Sequence, residues 1–479
     1  MTFSTALLWS LLRSLVIAMA GLIVSVRLQQ SLRLLSGQRA MFWWGLTLLP
    51  VFVPGLLIGY GYRNFALSLV HHPMWNEVLY ALLVTLQVIP IGVLVLVCSP
   101  SPPVSASALH VRRLSALHLS PLEGRRTSQA RQRLVSEWLR HHLFSLFPAG
   151  AVMFLLAFQE SEVATLMQAD GWTEWLFTRY VGGLTMATAL QVLIIPVLVQ
   201  GIVIMTTLSL VTVGTHQKSE VAQLAARSSS GDRWTVASFV GLALIALAGL
   251  PGTVVLRGTW QGFSVLSAHP TLLREIGIAV LFAITSGGLT WVLSGLVIHR
   301  LGGLGRLGVM IVLLPGLMGS LAMGMGVTGL VQRPPLVTLR DTPLPIVVAE
   351  ALFLLPRAVL IRLLVGQLRD SSAVYAARLL ARSESPLHQQ ASASLLWRLD
   401  VAGRIGGLLI LCYWAYIELT LPSLLAPPGM TPAPVVLYNL MHYGQISGLS
   451  AMLFASMTTP VVLMALSWWG FRIVIHRLF

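Results

Sequence analysis

The chain has 479 residues, of which 56% are apolar and only 10% are charged, and its mean hydropathy is +0.81. A water-soluble domain of this length would not tolerate that composition, so the sequence predicts a polytopic membrane protein. The net charge of +15 does not indicate nucleic-acid binding, because the arginines lie in short groups beside apolar stretches, as in loops retained on the cytoplasmic side of a bilayer.

Taken in chain order, the sequence contains eleven stretches of about 20 mostly apolar residues, the length that crosses a bilayer. Their predicted bounds are 5–26, 42–62, 77–98, 142–159, 181–208, 234–256, 275–297, 305–331, 344–366, 405–426 and 449–473. No basic segment precedes the first stretch and no small-residue cleavage site follows it, so we interpret it as a retained span. Arginine is concentrated in alternate connecting segments, above all 99–141 and 367–404. This bias predicts an all-α fold of eleven spans with the N-terminus outside and the C-terminus inside.

Four landmarks recur in the same order in two parts of the chain, which indicates an internal duplication. They are a Pro-Gly pair before a glycine-rich stretch, a proline in the next span, a proline in the following linker and a glutamate that ends a later span: Pro54-Gly55, Pro90, Pro121 and Glu160, then Pro315-Gly316, Pro356, Pro386 and Glu418. Gly55 and Glu160 are 105 residues apart, and Gly316 and Glu418 are 102 apart. We predict two homologous halves, 1–215 and 234–479, joined by a cytoplasmic linker at 216–233 and related by a pseudo-twofold along the membrane normal. Independent proline kinks in an apolar sequence are the alternative.

The basic segment between the ninth and tenth predicted spans contains a short helical pattern, SAVYAARLLARSESPLHQQ, at 372–390. Small or apolar residues at 373, 376, 377 and 380 share one face of a predicted helix that runs from Ala373 to Arg382. The sequence Ser383-Glu384-Ser385-Pro386 should end that helix and turn the chain. A helix that rests on lipid headgroups would show the same pattern.

This segment resembles the cytoplasmic loop of the type I permeases of ABC importers, whose signature is Glu-Ala-Ala, three residues, Gly. Tyr375-Ala376-Ala377 followed by Ala381 fits that frame, with Tyr and Ala in place of the glutamate and the glycine.

A second stretch, YIELTLPSLLAPPGMTPAPVVLYNLMHYGQISGLSAM at 416–452, is similar to the closing part of the double-length permeases of the ferric-iron and thiamine type. In that subfamily a glutamate precedes a Pro-Gly loop and a Tyr-Asn-x-x-His-Tyr-Gly segment. The matching residues are Tyr438, Asn439, His442, Tyr443 and Gly444.

The resemblance implies a permease subunit in a bacterial cytoplasmic membrane, in which each long loop forms a coupling helix seated on a separate, dimeric ATPase. It also implies an extracytoplasmic solute-binding protein as partner, contact with membrane lipid, no cofactor and no enzymatic activity in this chain. The coupling residues that it implies are Tyr375, Ala376, Ala377, Ala381, Ser385 and Pro386 in the second loop, and His110, Val111, Ala116 and Pro121 in the first. The first loop departs from the signature, since His110 and Val111 stand near the place of the paired small residues.

Acidic residues in or at the ends of predicted spans are candidates for a translocation path. These residues are Glu160, Glu350 and Glu418. Glu350 and Arg357 are seven residues apart on one helix face and could form a pair, whereas Glu160 and Glu418 could instead cap helices or anchor loops. No metal-ligand motif such as His-Glu-x-x-His occurs in the sequence.

The sequence excludes a phosphate-binding P-loop, because the only lysine, Lys218, follows Gln217 rather than glycine. We therefore expect a permease that moves a small solute by alternating access, with energy from a partner; the resemblance suggests ferric iron or thiamine. The alternative is a membrane-embedded enzyme or assembly factor that acts on a lipid-linked substrate, with basic linkers on anionic headgroups. A secondary transporter is a third reading.

Overall fold

The structure is a computed structural model that describes residues 2–35, 37–69, 71–99, 146–210, 231–266, 271–300, 306–368, 371–383, 385–441 and 447–478. Every regular element within these ranges is a helix, and they contain no strand. The predicted all-α class is therefore confirmed for the described part of the chain.

The first half as predicted contains eight described helices. They are α1 (Phe3–Arg33), α2 (Gly37–Leu48), α3 (Gly55–Ser68), α4 (Pro73–Cys98), α5 (Leu146–Phe158), α6 (Glu162–Met167), α7 (Trp172–Val181) and α8 (Met186–Leu210). A short 3-10 turn, Leu49–Phe52, continues α2 toward α3.

Twelve more helices follow in the described ranges. They are α9 (Gly231–Leu244), α10 (Leu250–Leu266), α11 (Thr271–Arg300), α12 (Arg306–Leu317), α13 (Ser320–Val331), α14 (Leu344–Leu368), α15 (Ser371–Leu380), α16 (Pro386–Leu396), α17 (Ala402–Ile417), α18 (Thr420–Leu425), α19 (Ala433–Met441) and α20 (Ser447–Leu478). Two π turns, Ile245–Gly249 and Trp397–Val401, join α9 to α10 and α16 to α17.

Seven stretches in the described ranges are each long and apolar enough to cross a membrane. They are α1, α4, most of α8, α9 with α10, α11, most of α14 and most of α20. Two bent pairs, α2 with α3 and α12 with α13, raise the number to nine if each pair is one span. These helices are typical of a multi-pass membrane protein. The count of eleven spans stays a prediction, because α5 and the 16-residue α17 are shorter than the seven stretches that can each cross a membrane.

Two predicted spans have different bounds in the structure. The span predicted at 405–426 ends at Ile417, because Glu418 adopts an extended backbone with ψ of 130°, and α18 begins two residues later. The span predicted at 181–208 begins at Met186, because a turn through Gly183, whose φ is +102°, separates α7 from α8. Both differences lie where an apolar run continues through a turn, which hydropathy alone does not detect.

The two bent pairs turn near the Pro-Gly landmarks. Helices α2 and α3 meet at 67° beside Pro54, which has no backbone N–H to continue a helix. Helices α12 and α13 meet at 111°, three residues after Gly316, at Gly319, whose φ is +90°. A side chain at Gly319 would also collide with Gln159, since its Cβ would lie 2.8 Å from the Gln159 Cβ.

A similar order of elements occurs twice in the described ranges: a long helix, a bent pair, a proline-containing long helix, a shorter apolar helix, a six-residue helix, a helix of about ten residues and a long helix. In the second series α15 and α16 come between the proline-containing helix and the shorter apolar helix. α1 packs on α4 as α11 packs on α14, and α3 packs on α6 as α13 packs on α18.

Contacts between the two series are reciprocal. Tyr60 of α3 shares a hydrogen bond of 2.5 Å with Ser450 of α20, and Gly329 of α13 lies against Leu190 of α8. Each bent pair thus contacts the last long helix of the other series, although outside its own series α3 packs mainly on α10.

Candidate functional site

The chain leaves α5 and α17 through the same local structure, a glutamate followed by a six-residue helix. The Glu160 carboxylate accepts hydrogen bonds from the backbone N–H groups of Val163 and Ala164, at 2.7 and 3.1 Å. The Glu418 carboxylate accepts one from the N–H of Leu421, at 3.4 Å. Since the first N–H groups of a helix have no partner within it, both glutamates stabilise the start of a short helix.

Glu160 belongs to a polar network in the first series. Tyr80 donates its hydroxyl hydrogen to the Glu160 carboxylate at 2.7 Å, and the Arg13 guanidinium lies 4.4 Å from the Tyr80 ring centre. Arg13 also donates to the Glu77 carboxylate at 2.8 Å and to the Asp170 carbonyl at 2.7 Å. The Arg13 side chain is only 7% exposed, so these partners compensate its charge inside α1.

Glu418 has different surroundings. The Arg357 guanidinium of α14 interacts electrostatically with both Glu418 and Glu162, and it lies 4.6 Å from the Phe353 ring centre and 5.5 Å from that of Trp414. The Ser320 hydroxyl of α13 lies beside the Glu418 carboxylate. The charge of this arginine therefore acts electrostatically on glutamates of both series.

The predicted pair of Glu350 with Arg357 is wrong. Seven residues span nearly two helical turns, or about 10 Å along the axis, so the two charged groups do not meet. Glu350 is 1% exposed, and its carboxylate lies beside the Ser286 hydroxyl and interacts with Glu418 rather than with Arg357.

Glu162 connects the two series and was missed by the sequence analysis. Its carboxylate accepts the N–H of Leu419 at 3.2 Å, and the neighbouring hydroxyls of Ser161 and Thr420 are 3.2 Å apart. Burial raises the pKa of Glu162 well above its usual range, and the nearby carboxylates of Glu418 and Glu160 raise it further. The Glu-Ser-Glu pattern at 160–162 could have indicated Glu162 as a candidate, since two glutamates at the end of an apolar run are unusual.

Two cavities adjoin this region. A void of about 20 Å³ lies where α6 meets α18, with Ser161, Glu162, Thr420 and Tyr438 in its lining. A cavity of about 370 Å³ lies at the start of α11, beside Arg274, Glu275 and Asn439. There Arg274 donates a hydrogen bond of 2.9 Å to the carbonyl of Gly429.

The predicted coupling segment forms two helices, α15 and α16, and a turn at 381–383 follows the first. Tyr375 is 66% exposed and Ala376 is also exposed, whereas Ala377 is fully buried and its carbonyl accepts the Ser392 hydroxyl hydrogen at 2.7 Å. The buried face includes Val374 and Ala377, so it is displaced from the face predicted at 373, 376, 377 and 380. The periodicity placed Ala376 and Ala377 together, although packing against α16 separates them.

The turn itself agrees with its prediction. Ala381 donates its N–H to the Ala377 carbonyl at 3.1 Å, Ser385 donates its N–H to the Ser383 hydroxyl at 3.3 Å, and Pro386 begins α16. Helix α15 spans Ser371–Leu380, so it begins and ends two residues earlier than predicted.

The predicted coupling residues of the first loop, His110, Val111, Ala116 and Pro121, lie outside the described residues. The same holds for His442, Tyr443 and Gly444 of the second matching stretch.

Asp400 joins the coupling segment to α17. This residue is 7% exposed and lies in the π turn at Trp397–Val401. Its carboxylate is 2.9 Å from Arg404 Nε in α17 and 4.0 Å from Arg378 Nη2 in α15. Asp400 therefore lies between the arginines of α15 and α17.

No protein-family model, curated protein or solved structure matches the chain. Within the described ranges, no group of three or more His, Cys, Asp or Glu residues is arranged to hold a metal ion.

Proposed function

We propose that this chain is the membrane-spanning permease subunit of an ATP-binding-cassette importer, of the double-length type I kind. It moves a small solute across the bacterial cytoplasmic membrane by alternating access, and a separate ATPase dimer supplies the energy. An extracytoplasmic binding protein delivers the solute; ferric iron and thiamine are the solutes that the family resemblance suggests. In this proposal α5 and α17 also cross the bilayer, which gives eleven spans, with the N-terminus outside.

The observation that carries the proposal is the link from an exposed helix pair to a membrane helix. Tyr375 and Ala376 are exposed on α15, where an ATPase could bind, while Ser392 and Asp400 tie the other side of α15 to α16 and α17. A permease without its own P-loop requires such a connection, because the closure of the ATPase dimer has to reach the membrane spans through contacts between helices.

The repeated order of elements supports two homologous halves. The reciprocal packing of each bent pair on the last helix of the other series is the arrangement expected for two like bundles around a pseudo-twofold axis. The contacts between Glu162 and Leu419 and between Ser161 and Thr420 would then lie at the junction of the halves, where a translocation path would open and close.

The experiment is co-purification of the full chain with the candidate ATPase, comparing the wild type with Ala376→Asp. The structure selects Ala376 because it is exposed, whereas a charge at the buried Ala377 would disrupt the packing of α15 on α16. We expect Ala376→Asp to abolish ATPase binding while the chain still folds.

Ala187→Asp is the matched control. Ala187 is also exposed, and it lies near the start of α8, at the predicted outer end of that span. This variant should bind the ATPase like the wild type. Equal binding by Ala376→Asp, or no binding by the wild type, would contradict the proposal; in the second case, retention of a lipid-linked substrate would favour the enzyme or assembly factor.

A further inference from the structure

One acidic residue in the interior of α14 has surroundings that the proposed function does not explain. Glu350 is 1% exposed, and Phe353 and Leu354 on the same helix are also buried. On the facing helix α11, Ser286 is fully buried, and its hydroxyl lies beside the Glu350 carboxylate. An acidic group inside a membrane span is costly and is by default a functional residue.

The corresponding place in the first series has an apolar residue. Glu350 stands six residues before Pro356 in α14, and Val84 stands six residues before Pro90 in α4. Val84 is likewise 1% exposed, and α4 packs on α1 as α14 packs on α11. Since valine fills this place in one series, packing alone does not require a carboxyl group there in the other.

No cation compensates Glu350 within the described ranges, where it forms no ion pair with an arginine, lysine or histidine. Arg357 lies nearly two turns further along α14 and acts on Glu418 and Glu162 instead. The charged group that acts on Glu350 is the Glu418 carboxylate. An ionised Glu350 would therefore be a buried charge beside a like charge, which is costly.

The other titratable groups on the helices packed against α14 do not supply a positive charge either. Tyr413 and Tyr416 of α17 donate their hydroxyl hydrogens to backbone carbonyls. The Cys412 thiol of α17 lies against Gly287 of α11, and a thiol is mainly uncharged at neutral pH. The charged residues of α11, α12 and α17 are near the helix ends, and α13 and α18 contain none.

We propose that Glu350 is a proton-binding site inside the membrane. In the folded protein it takes one proton from solvent and is a neutral carboxylic acid, whose O–H donates a hydrogen bond to the Ser286 hydroxyl oxygen. Burial and a neighbouring carboxylate both favour the neutral acid, as in pairs of carboxylates that share one proton. The proton removes the repulsion between Glu350 and Glu418, so Glu418 keeps Arg357 and its place at the start of α18. This site does not depend on solute transport.

The test is infrared difference spectroscopy of the purified full chain at neutral pH, wild type minus Glu350→Gln. We expect a positive carbonyl band of a carboxylic acid that shifts in D₂O, because the acid hydrogen exchanges and an ionised carboxylate has no such band. The unfolding midpoint of the wild type should also fall as the pH is raised from neutral to alkaline, since the folded state then loses its proton. Glu350→Gln should show a smaller fall, because the amide has no proton to release.

Glu77→Gln is the matched control. The Glu77 side chain is only 14% exposed, but its carboxylate is 2.8 Å from Arg13 Nη1, so it is ionised and its difference spectrum should show carboxylate bands alone. If Glu350→Gln does not fold, Ser286→Ala leaves the acid in place and should shift its carbonyl band, because one hydrogen bond is lost. Carboxylate bands without an acid band in the Glu350→Gln difference, or an unshifted band in Ser286→Ala, would overturn the proposal.

Discussion

The ends of α5 and α17 have the same local structure but different electrostatic surroundings. In both places a glutamate caps a six-residue helix that packs under a bent pair. Glu160 is satisfied within its own series, by Tyr80 and by an arginine network that Arg13 forms with Glu77. Glu418 instead shares Arg357 with Glu162, which belongs to the other series.

This difference shows that capping and charge compensation are separate properties. Capping needs only a carboxylate a few residues before N–H groups in the same chain segment, so it recurs wherever the segment recurs. Compensation depends on which helices pack nearby. The charge of Glu160 is therefore compensated within its own series, whereas that of Glu418 depends on an arginine that also acts on Glu162 of the other series.

The largest expected effect comes from breaking the network around Glu160. Arg13→Met should destabilise the folded chain by about 3–5 kcal/mol, because Glu77 and Glu160 would stay buried without their cation. Detergent-solubilised protein in a denaturant titration would measure this. Arg179→Met is the control; Arg179 is exposed with its guanidinium 5.7 Å from the Trp175 ring centre, so the loss should be only about 0.5–1 kcal/mol. Equal losses would show that the network contributes little.

Next come the two glycines that face the capped helices. A Cβ at Gly59 would lie 2.6 Å from the Leu166 Cβ, whereas a Cβ at Gly324 would lie 2.7 Å only from the end of the Leu424 side chain. A leucine tip can rotate away but a Cβ cannot, so Gly59→Ala should cost about 1–3 kcal/mol and Gly324→Ala less. The reverse order in unfolding midpoints would mean that α6 moves more freely against α3 than α18 does against α13.

A smaller contrast is expected between the capping glutamates themselves. Glu160→Gln should destabilise the chain by about 0.5–2 kcal/mol, because it weakens two hydrogen bonds to backbone N–H groups and one from Tyr80. Glu418→Gln should be neutral or slightly stabilising, since it also removes the repulsion with Glu162. Both variants can be compared in one thermal-unfolding series, and a larger loss for Glu418→Gln would contradict the contrast.

The last expected effect is a pH dependence of the unfolding midpoint. Burial raises the pKa of Glu162 in the folded chain above its ordinary value of 4.5, so the folded state binds a proton that the unfolded state has released. Stability should therefore fall as the pH rises above that ordinary value and level off above the folded-state pKa. Glu162→Gln should show a shallower fall of the unfolding midpoint; an unchanged profile would assign the titration to other groups.

The capping contacts could have been expected from the sequence, but the charge partners could not. Each glutamate lies two residues before its helix, so its local role follows from the pattern at the end of an apolar run. Arg357 was expected to meet Glu350 because both lie on one helix, yet it faces Glu418 and Glu162, which lie far from it in the chain. Likewise, helical periodicity predicted the helix near 373–382 to within two residues. It did not predict that packing on α16 would bury Ala377 and leave Ala376 exposed.

The sequence by itself determined the helical class, the multi-pass character and, to within two residues, the helix at Ser371–Leu380, because hydropathy and helical periodicity act over a few residues. The tertiary structure alone decided that Ser161 meets Thr420, that Glu162 meets Leu419 and that one arginine serves two series. The first two contacts join residues 259 and 257 positions apart, and only the packing of whole helices brings them together.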